Sequence, residues 1–300
     1  MPEIRSMREE DLDQVAEVSD QAFIAVIAKL YGQRLERPFF PLAGLALRLW
    51  TDPDGCLVYQ DRGEIVGALF SVARGSLGWL GPVAVAGVAQ GQGAGQALVA
   101  ECLRRWSKRR VRMLGLETFP SSGFHAHLYA KFGFRPSWTG IQLRRRFEEK
   151  TPGEEAVEPA RPLQHPHLPL PDLGFLYRGF DPTAEVRATL LRHVGRVFAS
   201  DRGLAILHLQ DAFHVTPEEA FLPLLVARDR GSFLSLVAAA EAASRAAGKS
   251  SLAIRLPGTA WTAFQALLER GYRAGPSMLR MKAGEHLDYD RDAWYADDWL

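Results

Sequence analysis

The residues of this chain with the clearest chemical potential lie in one run, Val83-Ala84-Val85-Ala86-Gly87-Val88-Ala89-Gln90-Gly91-Gln92-Gly93-Ala94-Gly95. Their chemistry belongs to the backbone. A Gly-rich turn that opens a helix aims several N–H groups at one point, where the peptide dipoles also favour negative charge, so it can hold a phosphate or pyrophosphate. Glycine serves there because a Cβ would keep the ligand off the backbone and because tight turns often need φ > 0. The spacing Gln90-x-x-Gly93-x-Gly95 is expected about once by chance in a chain of this composition. By itself it reads as a tight turn entering a helix.

Other reactive residue types give less. Cys56 and Cys102 are the only cysteines, each in an apolar setting and without metal-type spacing. His165 and His167 are too few for a metal site, and His125 and His127, two apart on a helical stretch, face different ways. No metal is expected.

The elements that must position the turn can be read around it. Val83 to Ala86 ends an apolar β-prone run from Trp79, and Gln96 to Leu103 carries the apolar spacing of a helix extending to about Arg109. Upstream, Ser6-Met7-Arg8-Glu9 has the form of a capping box and predicts a helix from Met7 to about Ala28 after a short strand at Ile4. A second helix is predicted over Leu42 to Trp50, then a hairpin of Cys56 to Gln60 and Glu64 to Ala73 around Asp61-Arg62-Gly63. Downstream come a strand, Val111 to Thr118, a helix, Phe124 to Phe132, closed by Gly133, and last strands over Phe134 to Phe147.

Three hundred residues with 47% apolar content suffice for two ordinary domains. Thirty-six Lys and Arg against 35 Asp and Glu give a net charge of +1 without a long basic run, which argues against nucleic acid or an anionic membrane as partner. The cluster Arg104, Arg105, Lys108, Arg109 and Arg110 reads as a solvated face. The N-terminus lacks the apolar core of a signal peptide and no long apolar run occurs, so a cytoplasmic protein is expected.

Six of the 18 prolines fall between Thr151 and Pro171, which marks a linker. Beyond it the chain repeats itself. At an offset of 138 residues, Leu98-Val99-Ala100 falls on Leu236-Val237-Ala238, Gly93 on Gly231, Leu116 on Ile254, and Gly133-Phe134-Arg135 on Gly271-Tyr272-Arg273. One offset held over such a stretch indicates two copies of a domain. The expected division is 1–148, a linker 149–172, a second domain 173–284 and an acidic, aromatic tail 285–300. In the second copy Gln90 becomes Arg228, Gln92 becomes Arg230, Gly95 becomes Phe233 and Tyr129 becomes Leu267. A Phe where backbone must approach phosphate should block it. The tail, with Tyr289, Trp294, Tyr295 and Trp299, is expected to dock on its own protein or on a partner subunit.

With Val83-Ala84-Val85 leading into Gln90-x-x-Gly93-x-Gly95, and Leu128-Tyr129-Ala130-Lys131-Phe132-Gly133-Phe134 following the next strand, the first unit resembles the GNAT superfamily of N-acetyltransferases. The first motif resembles the family's coenzyme A loop, the second its Tyr-x-x-x-Gly-Phe signature. The resemblance implies a mixed α/β (α+β) sheet, splayed, in tandem GNAT-like domains of which the second is degenerate. It implies acetyl-CoA between the strands Trp79 to Ala86 and Val111 to Thr118, its pyrophosphate on the N–H groups of Gln90, Gly91, Gln92, Gly93, Ala94 and Gly95. Backbone groups of Val83, Ala84 and Val85 would pair with the pantetheine arm like an added strand. Ser122, where the family often has Asn, could hydrogen-bond that arm, and Gly87 stands where a proline is common.

The chemistry so implied is direct attack of an amine on the thioester, with Tyr129 as general acid. A phenol near pKa 10 giving a proton to a thiolate near 8.5 is uphill by roughly 2 kcal/mol, so Tyr129 needs a positive field or serves mainly to hydrogen-bond the sulfur. An alkyl amine near pKa 10.4 is neutral in only about one molecule in a few thousand at pH 7, so a base or a water chain is required. The strand before the loop has no Glu where many members carry one, and Glu117 is the nearest acidic candidate. The acceptor, a small-molecule or peptide amine, the acyl-chain length and a homo-oligomer are all left open. The competing reading is a catalytically inactive tandem module that senses acyl-CoA or binds a partner.

Overall fold

The computed structural model describes residues 2–33, 40–148, 157–285 and 292–298. These divide into two compact units. The first holds the described residues up to Pro136 together with Met281–Glu285, and the second those of Ser137–Arg280 with 292–298.

In the first unit β1 (Glu3–Ser6), β2 (Leu57–Asp61), β3 (Glu64–Arg74) and β4 (Leu77–Val85) pair antiparallel in that order. β4 then pairs parallel with β5 (Met113–Thr118). α1 (Leu12–Tyr31) and α3 (Ala94–Lys108) pack on β3 and β4, which explains why those strands read as near-continuous apolar runs. α2 (Leu42–Thr51) and α4 (Gly123–Ala130) complete the unit. The expected Ser6–Glu9 capping box does not form. Glu9–Asp11 is a 3-10 turn, and the Asp11 carboxylate accepts the Arg8 N–H at 2.7 Å while pairing with both terminal nitrogens of Arg5 at 2.7 and 2.8 Å. Two guanidinium bonds and a backbone donor satisfy Asp11 better than a lone Ser hydroxyl could satisfy the helix end. The helix therefore starts at Leu12 and stops at Gly32, whose φ of 66° is the left-handed cap.

In the second unit the sheet order is β11 (Arg273–Gly284), β6 (Arg135–Arg146), β10 (Ser251–Pro257), β9 (Glu219–Ala227), β8 (Gly203–His208), β7 (Gly195–Ser200). β9 and β10 are parallel, and β6 lies antiparallel to β10 from Gly140 opposite Pro257 to Arg146 opposite Ser251. α5 (Thr183–Leu191), α6 (Arg230–Ala246) and α7 (Trp261–Glu269) complete it, with β12 (Tyr295–Asp297) added to β9.

These units correct the expected division at residue 148. From Ser137 onward β6 belongs to the second unit, and Met281–Gly284, the end of β11, belongs to the first beside β5. There Glu285 donates its N–H to the Arg112 carbonyl at 3.0 Å, and Arg112 pairs with the Glu285 carboxylate at 3.1 Å. Alternation marks a strand but does not say whose edge it completes. The described part of the Pro-rich segment is docked rather than loose. Pro162 bridges Phe198 and Leu163 donates to the Val197 carbonyl at 2.7 Å.

Candidate active site

β4 and β5 share a ladder only from Leu77 opposite Met113 to Leu80 opposite Leu116. Beyond Leu80, β4 stays paired with β3 through Val83, Ala84 and Val85 while its other edge has no ladder partner among the described residues. The sheet splays, and an extended ligand could add to that edge. Ala84 is buried; Val83 and Val85 are half-buried.

The chain leaves β4 through a 3-10 turn, Gly87–Ala89, and reaches α3 through Gln90 to Gly93, all exposed. Gly91 and Gly93 have φ of 77° and 88°, the region open to glycine, and a Cβ built on either would meet nothing within 4 Å. The space before these backbones is open. Among the described residues the N–H groups from Gly91 to Gly95 make no hydrogen bond within the protein. Ala94 is buried and begins α3, so the donors sit at the positive end of a 15-residue helix. A Cβ on Gly95 would make ordinary contact, 3.6 Å from Val85. The donor set fits the pyrophosphate of a coenzyme A. One feature was not legible beforehand: the Gln90 carboxamide donates to the Val85 carbonyl at 2.9 Å and that of Gln92 to the Val88 carbonyl at 2.7 Å. The loop is held folded by its own glutamines, and one expected pantetheine acceptor is covered by a side chain.

Tyr129 lies in the last turn of α4, 7% exposed, with its ring edge-on to Phe134 at 6.2 Å. Among the described residues its hydroxyl has no hydrogen-bond partner. Burial pushes that hydroxyl well above its usual range, with no offsetting positive field. Ser122 caps α4 by accepting the His125 N–H at 3.4 Å, and its hydroxyl lies 2.8 Å from His125 Nδ1. That engages Ser122 in the helix start. Burial lowers the His125 pKa, which keeps the ring neutral at pH 7. Glu117 is buried near the end of β5.

The sequence profile of the Acetyltransferase (GNAT) family matches residues 24–134. The match runs from within α1 to just before β6 and so falls in the first unit. Over 145 residues it is 30% identical to the mycothiol acetyltransferase of Acidothermus cellulolyticus, a match covering 42% of this chain and 44% of that one. The chain thus spans less than half of that relative's length. Two solved structures share its architecture from end to end. A tandem GNAT protein from the clavulanic acid biosynthesis pathway superposes with a TM-score of 0.58 at 16% identity, covering 95% of this chain and 98% of its own. A GCN5-related N-acetyltransferase from Sphaerobacter thermophilus gives 0.60 at 13% identity, covering 100% and 98%. The mixed α/β tandem GNAT fold is therefore that of this chain.

The second GNAT-like unit departs from the first where the ligand would lie. From α6 onward the offset of 138 holds: Ile254 pairs with Leu222 as Leu116 pairs with Leu80, and Gly271 has a φ of 88° as Gly133 has 82°. Before α6 it fails. Glu219 lies opposite Ser251 as Leu77 lies opposite Met113, so the strand-to-helix connection is four residues shorter. Only Arg228 and Asp229 separate β9 from α6, and Gly231 and Arg230 are inside the helix. The expected arginine-bearing loop does not exist. Asp229 caps α6, accepting the Ser232 N–H at 2.8 Å, and puts a carboxylate where the first unit leaves donors free. Phe233 is fully buried, its ring 5.5 Å from Trp294.

Proposed function

We propose that the first unit is an acetyl-CoA-dependent N-acetyltransferase acting on an amine acceptor. The observation that carries this reading is the unpaired row of N–H donors from Gly91 to Gly95 beside the open edge of β4, with Tyr129, 7% exposed, on the helix after β5. The relative's own name, mycothiol acetyltransferase, supports the class of reaction.

Acetyl-CoA supplies the thioester. The N–H groups of Gly91 to Gly95 hold its pyrophosphate, that of Gln90 being spent on the Gly87 carbonyl at 3.3 Å, and Val83 and Val85 offer strand-like hydrogen bonds to the pantetheine once the Gln90 carboxamide swings off the Val85 carbonyl. Tyr129 donates a hydrogen bond, and then its proton, to the leaving sulfur. Its raised pKa makes transfer to a free thiolate less favourable, but the same desolvation raises the thiol's own pKa, so the two move together. Glu117 takes the proton of the attacking amine, directly or through water.

Titrating acetyl-CoA calorimetrically into the full chain tests the reading. One site per chain, lost in Gly93→Phe, together with CoA release in the presence of an amine, is the expected result. Binding without release for any amine would leave the acyl-CoA-sensing module.

A further inference from the structure

One backbone atom on the open edge of β4 already has a partner within the chain. Gly67 of β3 lies opposite Val85, and one step further the Ala86 N–H bonds the Val66 carbonyl at 2.9 Å. Bonded and non-bonded positions alternate along an antiparallel pair, so Ala84 turns its N–H and carbonyl toward β3 while Val83 and Val85 turn theirs to the open edge. On that edge the Gln90 carboxamide donates to the Val85 carbonyl at 2.9 Å. Because the acceptor is a carbonyl, the part of the side chain that faces it is the amide N–H. A pantetheine amide would bring the same kind of donor to the same atom.

The matching position of the second unit has an occupant too. The Arg228 N–H bonds the Arg202 carbonyl at 2.9 Å and Gly203 lies opposite Ala227, so Ala227 faces outward as Val85 does. Its N–H bonds the Trp294 carbonyl at 2.8 Å. In both units an atom of the chain itself thus engages this end of the edge. Outward backbone groups on a strand edge invite strand addition by other chains, which such a cover discourages. Other bonds shape the loop without using the Gln90 side chain: Ala89 N–H to the Ala86 carbonyl at 2.8 Å, Gln90 N–H to the Gly87 carbonyl at 3.3 Å, and the Gln92 carboxamide to the Val88 carbonyl at 2.7 Å. Gln90 is exposed, so its carboxamide can leave for water at the cost of one hydrogen bond.

Resting on the acetyltransferase reading, we propose that the Gln90 side chain sets cofactor affinity by standing in for a pantetheine amide on the Val85 carbonyl, from which acetyl-CoA must displace it. A ligand that binds only the displaced fraction binds more weakly by that fraction, so removing the carboxamide tightens binding. Gln90→Met keeps the length of the side chain without the donor. It should lower the acetyl-CoA Kd of the full chain by about three- to ten-fold, read by calorimetry. Stopped-flow should place the gain in kon with koff unaltered, because in the complex the wild-type side chain has already left the edge. ADP brings a pyrophosphate without the pantetheine arm and does not reach Val85, so the ratio of acetyl-CoA to ADP affinity should rise by the same factor. An acetyl-CoA Kd unchanged or raised in Gln90→Met, a gain that lies in koff, or an equal gain for ADP overturns the proposal and leaves the cofactor site standing. Absence of acetyl-CoA binding by both chains removes the site and the role of Gln90 together.

Discussion

The two units treat the splayed edge of the same kind of sheet in opposite ways. In the first, β4 parts from β5 after Leu80 and its edge stays open; in the second, β9 parts from β10 after Leu222, and the chain closes the gap with its own C-terminal strand. β12 pairs antiparallel with β9 from Tyr295 opposite Val226 to Asp297 opposite Leu224, along the stretch that corresponds to the open edge of β4. The tail thus docks on its own protein, by strand addition. Asp297 reaches Arg280 at 2.7 Å, both fully buried, and Asp298 reaches Arg255 at 2.7 Å. An edge in a buried cleft leaves backbone groups without partners, so something must cover it. In the second unit that cover is part of the chain itself; in the first the edge is open among the described residues, as the proposed acetyl-CoA site requires.

The sharpest way to break this comparison is to loosen the cover. Asp297→Ala leaves Arg280 buried without its carboxylate and should cost the second unit about 3–5 kcal/mol, read from denaturant unfolding followed by Trp294 fluorescence. Hydrogen exchange at Leu224 to Val226 should rise in parallel, whereas acetyl-CoA stoichiometry should stay at one because the loop before α6 is missing. A second site appearing in this variant would mean that the tail, and not the short loop, excludes the ligand.

Next in size, Gly93→Phe forces a side chain to a φ of 88° and into the donor cradle, so acetyl-CoA affinity should fall by more than about 100-fold. Tyr129→Phe should then lower kcat by roughly 10- to 100-fold with acetyl-CoA affinity unchanged. Leu267 occupies the matching place in the second unit, so no residual rate is expected from there. An unaltered kcat would remove Tyr129 from the mechanism.

The smallest effect contrasts the two helix starts. Asp229→Ala should cost about 0.5–1 kcal/mol at pH 7, as loss of an exposed cap does. The Ser232 N–H, and then Arg202, hold the Asp229 carboxyl below its ordinary range. A depressed pKa contributes stability that is present above the unfolded value and is lost as pH falls through the folded one. The difference between wild type and Asp229→Ala should therefore shrink on acidification below about pH 4. α3, begun by Gly93, has no titratable cap and should show no such dependence.

Much of the first unit could be read in advance because its signals are local. Val83 to Gly95 carries strand, turn and helix start in one continuous stretch, and positive φ at Gly91 and Gly93 follows from what glycine alone tolerates. The internal repeat was visible wherever helices and strands kept their length, and was misaligned across the shortened loop, since an ungapped offset sets a helix turn against a loop. The contacts of Phe119 with Phe23 and Tyr31 left no trace in the sequence, because the three meet only after α1 has packed on the sheet.

The sequence by itself therefore determined the local things: the anion-ready turn, the tyrosine in the last turn of α4, two copies of one fold and a tail too aromatic to lie free. Tertiary structure alone decided which strand completes which sheet. β6 pairs with β10, the end of β11 lies beside β5, and β12 fills the second cleft. Strand pairing is set by the match of edges far apart in the chain, and an alternating pattern of side chains states that a strand exists without naming its neighbour.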